Sequence, residues 1–275
     1  MSLFTIMFVA DICGKAGRQA AAYLIKPMRE ELGVDYVIAN VENAAGGFGI
    51  TPEMSRKIFS YSVDLQTSGN HIWDRVQILE YLATEAKLLR PANYPSGAPG
   101  FGSIIDTVGD VSVGVINLQG RTFMPSIDCP FQVARREVER VREVTPIIFV
   151  DFHAEATSEK QALAYYLDGK VSAVIGTHTH VPTADEKISD NGTAYLTDAG
   201  MTGPLDSIIG MDKGPALGRF LTGTPKRFST ASDDIHMMGV IVRIDPETGA
   251  AKEIERFSRK FALAEHQNNR LVDDD

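Results

Sequence analysis

The stretch Val171-Ser172-Ala173-Val174-Ile175-Gly176-Thr177-His178-Thr179-His180 sets a short apolar, β-branched run directly against two histidines placed two positions apart. Such a run reads as a buried strand over Val171 to Gly176, with the polar pair at its carboxyl end. The same pattern recurs upstream. Phe4 to Ala10 is a buried run followed by Asp11, Tyr36 to Val41 precedes Glu42-Asn43, Val63 to Thr67 precedes Asn70-His71, and Ile147 to Phe152 precedes His153. Helical patterns separate these runs at Gly14 to Leu32, Pro52 to Tyr61 (opened by Thr51), Val76 to Ala86, Phe131 to Glu143 and Ser158 to Leu167. Alternation of strand and helix predicts mostly parallel strands covered on both faces. Ile104 to Val108 and Val111 to Asn117 flank Gly109-Asp110, and Met238 to Ile244 and Lys252 to Phe257 flank Asp245-Pro246-Glu247-Thr248-Gly249. These pairs predict antiparallel hairpins, and Ala194 to Thr197 is a further strand. The expected organisation is one α/β domain over 1–260, then a polar tail over 261–275 that ends in aspartates and frays.

The 275 residues carry 27 Lys and Arg against 36 Asp and Glu, a net charge of −9, with 44% apolar and 23% charged residues. That is globular composition, long enough to bury roughly three-quarters of its unfolded surface without staples. The acidic balance disfavours duplex nucleic acid or an anionic membrane as the main partner. Cys13 and Cys129 are the only cysteines, too few for a disulfide framework. No apolar run reaches the roughly 20 residues of a spanning helix, and the opening residues lack a basic leader pattern, so the expected compartment is the cytoplasm. Homo-oligomers are common enough to be expected, although no residue here requires one.

Ligands of open α/β sheets bind outside the carboxyl ends of the strands. The strand ends named above would bring Asp11, Glu42, Asn43, Asn70, His71, His153, His178 and His180 to one rim, including four of the chain's six histidines. Each residue has a plainer reading: Asp11 as a helix N-cap, Glu42-Asn43 as loop, Asn70 as a self-bonding turn residue, His153 as a satisfied buried imidazole. Gly176-Thr177-His178-Thr179-His180 is harder to explain by packing, because extended residues i and i+2 face one side and two imidazoles would converge as a chelate. The neighbouring Ala44-Ala45-Gly46-Gly47-Phe48-Gly49 has neither the Lys-Ser/Thr of a phosphate-binding loop nor the spacing of a dinucleotide fold. Together the oxygen and imidazole ligands match a hydrolytic site for two cations roughly 3.5–4 Å apart, of the kind held by mixed O/N donors such as Mn²⁺, Fe or Zn²⁺.

Asp11, Gly69-Asn70-His71, His153 and Gly176-Thr177-His178-Thr179-His180 stand in the order of the motifs of calcineurin-like metallophosphoesterases, which the sequence resembles. Two departures, Asp11-Ile12-Cys13 without a histidine and Val41-Glu42-Asn43 in place of Gly-Asp, are those of the bacterial YmdB-like branch. The likeness covers nearly the whole chain, including Gly14-Lys15-Ala16-Gly17-Arg18 and Asp198-Ala199-Gly200-Met201-Thr202-Gly203-Pro204. It implies a four-layer sandwich of two mixed sheets flanked by helices. It also implies a phosphodiesterase acting on 2′,3′-cyclic and perhaps 3′,5′-cyclic AMP through a metal-activated water. Carried over, Asp11, Glu42, Asn43 and His180 would hold one metal, and Glu42 as bridge, Asn70, His153 and His178 the second. His71 would be the general acid. Iron is the expected metal, with Mn²⁺ able to substitute. Rival readings are a phosphomonoesterase or RNA-end-processing enzyme, and a regulatory metal-binding protein with vestigial turnover.

Other features carry two readings each. Lys15 and Arg18 open the first helix and either contact a substrate phosphate or form solvated helix surface. Asp198 to Pro204 reads as a glycine-bearing loop over the site, extended by Asp206 to Lys213. Trp73 stacks on a base or packs its loop. Cys13 is a soft ligand or, more simply, small apolar packing. Arg135 to Glu143 alternates in sign at helical spacing and reads as a solvated face.

Overall fold

The computed structural model describes residues 2–262. Its first sheet grows from the expected N-terminal run, β1 (Phe4–Val9), which passes through the two-residue β2 (Asp11–Ile12) into helix α1 (Gly14–Leu32). The chain returns as β3 (Tyr36–Asn40), crosses by α2 (Pro52–Phe59) to β4 (Leu65–Thr67), and reaches the short helix α3 (Ile78–Leu82). Strands β5 (Ser103–Val108) and β6 (Val111–Gln119) form a hairpin over Gly109-Asp110. From there α4 (Pro130–Arg142), β7 (Ile148–His153), α5 (Thr157–Leu167) and β8 (Ala173–Thr177) alternate. The remaining elements are β9 (Lys187–Ile188), β10 (Ala194–Leu196), β11 (Met201–Pro204), α6 (Lys213–Thr222), β12 (Ile235–Ile244) and β13 (Ala251–Lys260).

Two mixed sheets result. One runs β2-β11-β12-β1-β3-β4, with β13 paired to β12; the other runs β5-β6-β7-β8-β10-β9. Within the first, β1, β3 and β4 are parallel; within the second, β6, β7, β8 and β10 are parallel. The alternation along β1 explains the stacking. Phe4, Ile6 and Phe8 face the second sheet and join Tyr36, Ile38, Phe149 and Ile175, while Met7 and Val9 join the helices on the outer face. Phe8 and Phe149 meet between the sheets at 5.3 Å. A third cluster buries Val133, Val138 and Leu163 of α4 and α5 on Ile148, Val150 and Phe152. The order is therefore helices, sheet, sheet, helices, the four layers that the sequence resemblance implies. Tyr36 Oη also donates to Asp106 Oδ2 at 2.8 Å, joining β3 of one sheet to β5 of the other.

Several boundaries differ from the sequence reading. Met201 to Pro204 is a buried strand, not a loop, pairing β2 on one side and β12 on the other. Gly17 lets α1 approach this strand closely: a β-carbon there would lie 2.2 Å from the Thr202 carbonyl oxygen. Helix α6 gives no helical signal in the sequence, because Gly214, Pro215 and Gly218 are poor helix formers. It forms nonetheless, capped by Asp212, whose carboxylate accepts from Gly214 N at 3.0 Å. Helix α3 is shorter than the expected Val76 to Ala86, since Thr84 Oγ1 donates to Tyr81 O and Glu85 accepts from Lys87 N, taking the backbone out of the helical ladder. Of the expected tail over 261–275, Phe261 is buried and stacks on Tyr23 at 5.4 Å, and residues from 263 onward lie outside the described residues. Arg136 and Arg140 pair with Glu137, and Arg135 lies 4.0 Å from Glu139, so the charged face of α4 is solvated as read.

Candidate functional site

Residues that follow β3, β4, β7 and β8 line one cavity of about 400 Å³, among them Glu42, Asn43, His71, Glu155, His178 and His180. Asp11 lies beneath it in β2 and is fully buried. It is not the N-cap of α1, a place taken by Cys13.

One group of ligand atoms centres on His153. Its Nε2 lies 2.9 Å from Glu42 Oε1, 3.2 Å from Asn70 Oδ1 and 3.0 Å from His178 Nδ1. Ligand atoms of Glu42, His153 and His178 all fall within 4.8 Å of one another. One ring nitrogen with at most one proton cannot satisfy three such neighbours by hydrogen bonding. The second group is Asp11, Asn43 and His180: His180 Nε2 lies 3.4 Å from Asp11 Oδ2 and 3.3 Å from Asn43 Oδ1. The Asn43 amide is oriented by its Nδ2, which donates to Gly47 O at 2.9 Å.

The two histidines at the end of β8 reach the site by a different route from the extended one expected. The strand stops at Thr177, and His178 and His180 take φ of 99° and 64°. They therefore do not chelate one point. His178 turns to His153 and His180 turns to Asp11, one for each group of ligands. The loop is pinned from below by a buried ion pair, Lys160 Nζ to Asp198 Oδ2 at 2.7 Å, and Thr179 donates to the same carboxylate through its backbone N (3.2 Å) and Oγ1 (2.8 Å). Ile209 O meets His180 Nδ1 at 2.9 Å.

A second layer orients His153. Thr177 Oγ1 donates to Asp151 Oδ1 at 2.7 Å, so it can only accept from His153 Nδ1, 3.0 Å away. In the neutral ring this leaves the lone pair on Nε2, aimed at Glu42 and Asn70. Asp151 also accepts from Asn40 Nδ2 and Thr67 Oγ1; burial nevertheless pushes its carboxyl up to about 7. Burial alone would lower His153, but the adjacent Glu42 carboxylate outweighs it and holds the ring up to about 9. Burial and the neighbouring His153 drive His178 down to about 3.

Glu42 lines the cavity and Asp11 is buried behind it, and no Lys or Arg is among the described residues that line it. Asp11 Oδ1 is buried with no hydrogen-bond partner. Orphaned oxygen, convergent imidazole nitrogens and amide oxygens together fit cations: a buried carboxylate oxygen left without a partner is otherwise expensive, and this O/N donor set suits borderline metals.

His71 sits on a 3₁₀ turn (Asn70–Trp73) at the wall. Its backbone N donates to Glu42 Oε2 at 3.0 Å, and its ring Nδ1 is 2.8 Å from Asp74 Oδ2, leaving Nε2 as the nitrogen for the cavity. The phosphate-contact reading of Lys15 and Arg18 is not supported: neither lines the cavity, and Arg18 is buried with its guanidinium donating to Ala44 O. That bond braces the glycine-bearing loop beside Asn43. Trp73 packs edge-on against Tyr94 at 5.0 Å, and burial pushes the Cys13 thiol up to about 12, so both are packing residues. Sequence reasoning does not single out Asp74, Asp151, Glu155 or Asp198 on their own. Asp151 alone leaves a signal, an acid inside the apolar run Ile148-Phe149-Val150-Asp151-Phe152.

The chain is similar to known proteins over most of its length. A 2′,3′-cyclic-nucleotide 2′-phosphodiesterase of Bacillus subtilis (strain 168) is 44% identical over 251 residues, 91% of this chain and 95% of that protein. A solved structure of a hypothetical protein from Thermus thermophilus superposes with a TM-score of 0.88 at 39% identity, covering 94% of this chain and 100% of that one. That of a novel phosphatase from Mycoplasma pneumoniae gives a TM-score of 0.89 at 29% identity, covering 99% and 100%. The family model described as YmdB-like protein matches residues 7–257, and the chain belongs to that family.

Proposed function

We propose that this protein is a metal-dependent phosphodiesterase whose substrates are cyclic nucleotides, 2′,3′-cyclic AMP first and 3′,5′-cyclic AMP second. The observation that carries this is the cavity itself: acids, imidazoles and amide oxygens converge on its floor, no Lys or Arg is among the described residues that line it, and an imidazole stands at its wall. A phosphate could not enter such a site against two buried carboxylates unless cations neutralised them. The likeness to the Bacillus subtilis enzyme supports the choice of substrate class.

Asp11, Asn43 and His180 would hold one cation, Asn70, His153 and His178 the other, with Glu42 between them; iron is the first candidate and Mn²⁺ a substitute. When bound, the cations supply the positive charge the lining lacks and acidify a water. The side chains do the rest. Thr177 and Asp151 hold the His153 ring, and Asp198 holds the turn that carries His178 and His180. Asp74 keeps His71 Nδ1 engaged, so that Nε2 delivers its proton to the leaving oxygen. Water adds to phosphorus as its proton passes to solvent, the P–O2′ bond breaks, O2′ takes the His71 proton, a 3′-monophosphate results, and His71 regains a proton from solvent.

The test is release of 2′- or 3′-AMP from 2′,3′-cyclic AMP by protein supplied with Mn²⁺, with and without chelator. Chelator-sensitive turnover is expected. His71→Ala should retain its metals and lose roughly 10²–10⁴-fold in rate on the nucleotide. Its loss should be smaller on bis(p-nitrophenyl) phosphate, whose leaving group needs little protonation. No turnover by protein shown to hold two metals would refute the substrate assignment, and equal losses on both substrates would remove His71 as the acid.

A further inference from the structure

Glu155 lies two residues beyond His153, between β7 and α5, and lines the cavity. Its Oε2 is 3.1 Å from His178 Nε2, and its side chain is 48% exposed. Since His178 turns Nδ1 toward His153, the carboxylate accepts from Nε2–H and fixes the ring with its lone pair facing the ligand group. That accounts for one part of the side chain. The rest of the carboxylate stands in the open mouth of a cavity whose other acid, Glu42, is buried at the floor. Among the described residues, neither Lys nor Arg lines the cavity to offset it.

We propose that Glu155 is a charge filter, a specificity-determining residue that admits phosphodiesters and expels the monoesters made from them. This rests on the phosphodiester reading above. A diester carries one negative charge, whereas the monoester formed by hydrolysis gains a second above about pH 6. A fixed carboxylate at the mouth repels the dianion about twice as strongly as the monoanion. It therefore selects against monoester substrates and shortens the residence of product, while its bond to His178 keeps the ring in place.

Wild type and Glu155→Gln, each loaded with Mn²⁺, are compared at about pH 8, where phosphate monoesters are dianions. Gln retains an acceptor for His178 Nε2–H and removes the charge. The readouts are the ratio of p-nitrophenyl phosphate to bis(p-nitrophenyl) phosphate turnover, the dissociation constant of inorganic phosphate by calorimetry, and metal content. The expected result is a rise of about three- to tenfold in the monoester-to-diester ratio, phosphate bound tighter by a similar factor, and unchanged metal content. An unchanged ratio and phosphate affinity would overturn the filter. Loss of metal from Glu155→Gln would overturn it too, because the carboxylate would then act through His178 alone. If the wild type cleaves neither ester, the phosphodiester reading fails, and the phosphate affinities still decide whether Glu155 screens dianions.

Discussion

Gly69 lies directly beneath His153. A β-carbon at position 69 would stand 2.1 Å from the ring Cδ2 and 2.4 Å from Glu42 Oε2, closer than any real contact. Gly69→Ala must therefore displace the imidazole, the carboxylate or both. A misplacement near 1 Å costs on the order of 100-fold in rate. The expected outcome is at least that loss together with reduced metal content by mass spectrometry. Wild-type metal content and turnover would show that the two side chains are not held where the structure places them.

Thr177→Val removes the hydroxyl between Asp151 and His153 and leaves both without that partner. Loss of a group that orients a metal-binding histidine typically costs about 10–100-fold in affinity. Metal titration of Thr177→Val should show a loss of this size, and Thr177→Ser should recover most of it. Equal behaviour of the two variants would mean that volume, not the hydroxyl, matters at 177.

Lys160 and Asp198 form an ion pair with both side chains buried. Breaking one partner strands a buried charge, at a cost of about 3–5 kcal/mol. Lys160→Met should lower stability to denaturant by that amount, and adding Asp198→Asn should return part of it. An additive double variant would show that the two groups are uncoupled.

Asp106 ties the sheets together through Tyr36 and Lys87. Burial alone would raise its pKa, but the hydrogen bonds from Lys87 and Tyr36 outweigh burial and hold the carboxyl below its usual 3.8. A folded value below the unfolded one contributes stability that is present above the unfolded pKa and lost as pH falls through the folded one. Asp106→Asn should cost roughly 2 kcal/mol near neutral pH, with the gap to wild type narrowing below about pH 4. Denaturation midpoints across that range measure it, and a gap independent of pH would contradict the assignment.

Much of this was legible in the chain. Strands β1, β3, β7 and β8 announce themselves as unbroken apolar runs because both of their faces are buried, and α1 runs over the expected Gly14 to Leu32. The polar residues after those runs were likewise visible, since nothing in packing asks for His71, His153, His178 and His180 at consecutive strand ends. What strand periodicity could not show was orientation, which only the family resemblance implied. The turn of His178 and His180 into positive φ divides them between two groups, where strand periodicity alone would have put both on one. Met201 to Pro204 looks like a loop because its strand character comes from neighbours, β2 and β12, far away in sequence. Glu155 meets His178, Asp74 meets His71, and Asp198 meets Lys160 and Thr179; an acid near a helix start or after a strand is unremarkable until such partners are placed.

The two sheets contribute unequally but jointly to the cavity floor. Asp11, Glu42, Asn43 and Asn70 hang from the sheet of β1, β3 and β4, whereas His153, His178 and His180 belong to the sheet of β7 and β8. A cation seated among them, as proposed, would be a rivet across the sandwich, bound only while the sheets are docked. By linkage, each tenfold increase of free cation above its dissociation constant adds about 1.4 kcal/mol to the docked state. Scarcity of metal would therefore loosen the seam between the layers as well as empty the floor of the cavity, and the chain's resistance to unfolding becomes a gauge of the metal around it.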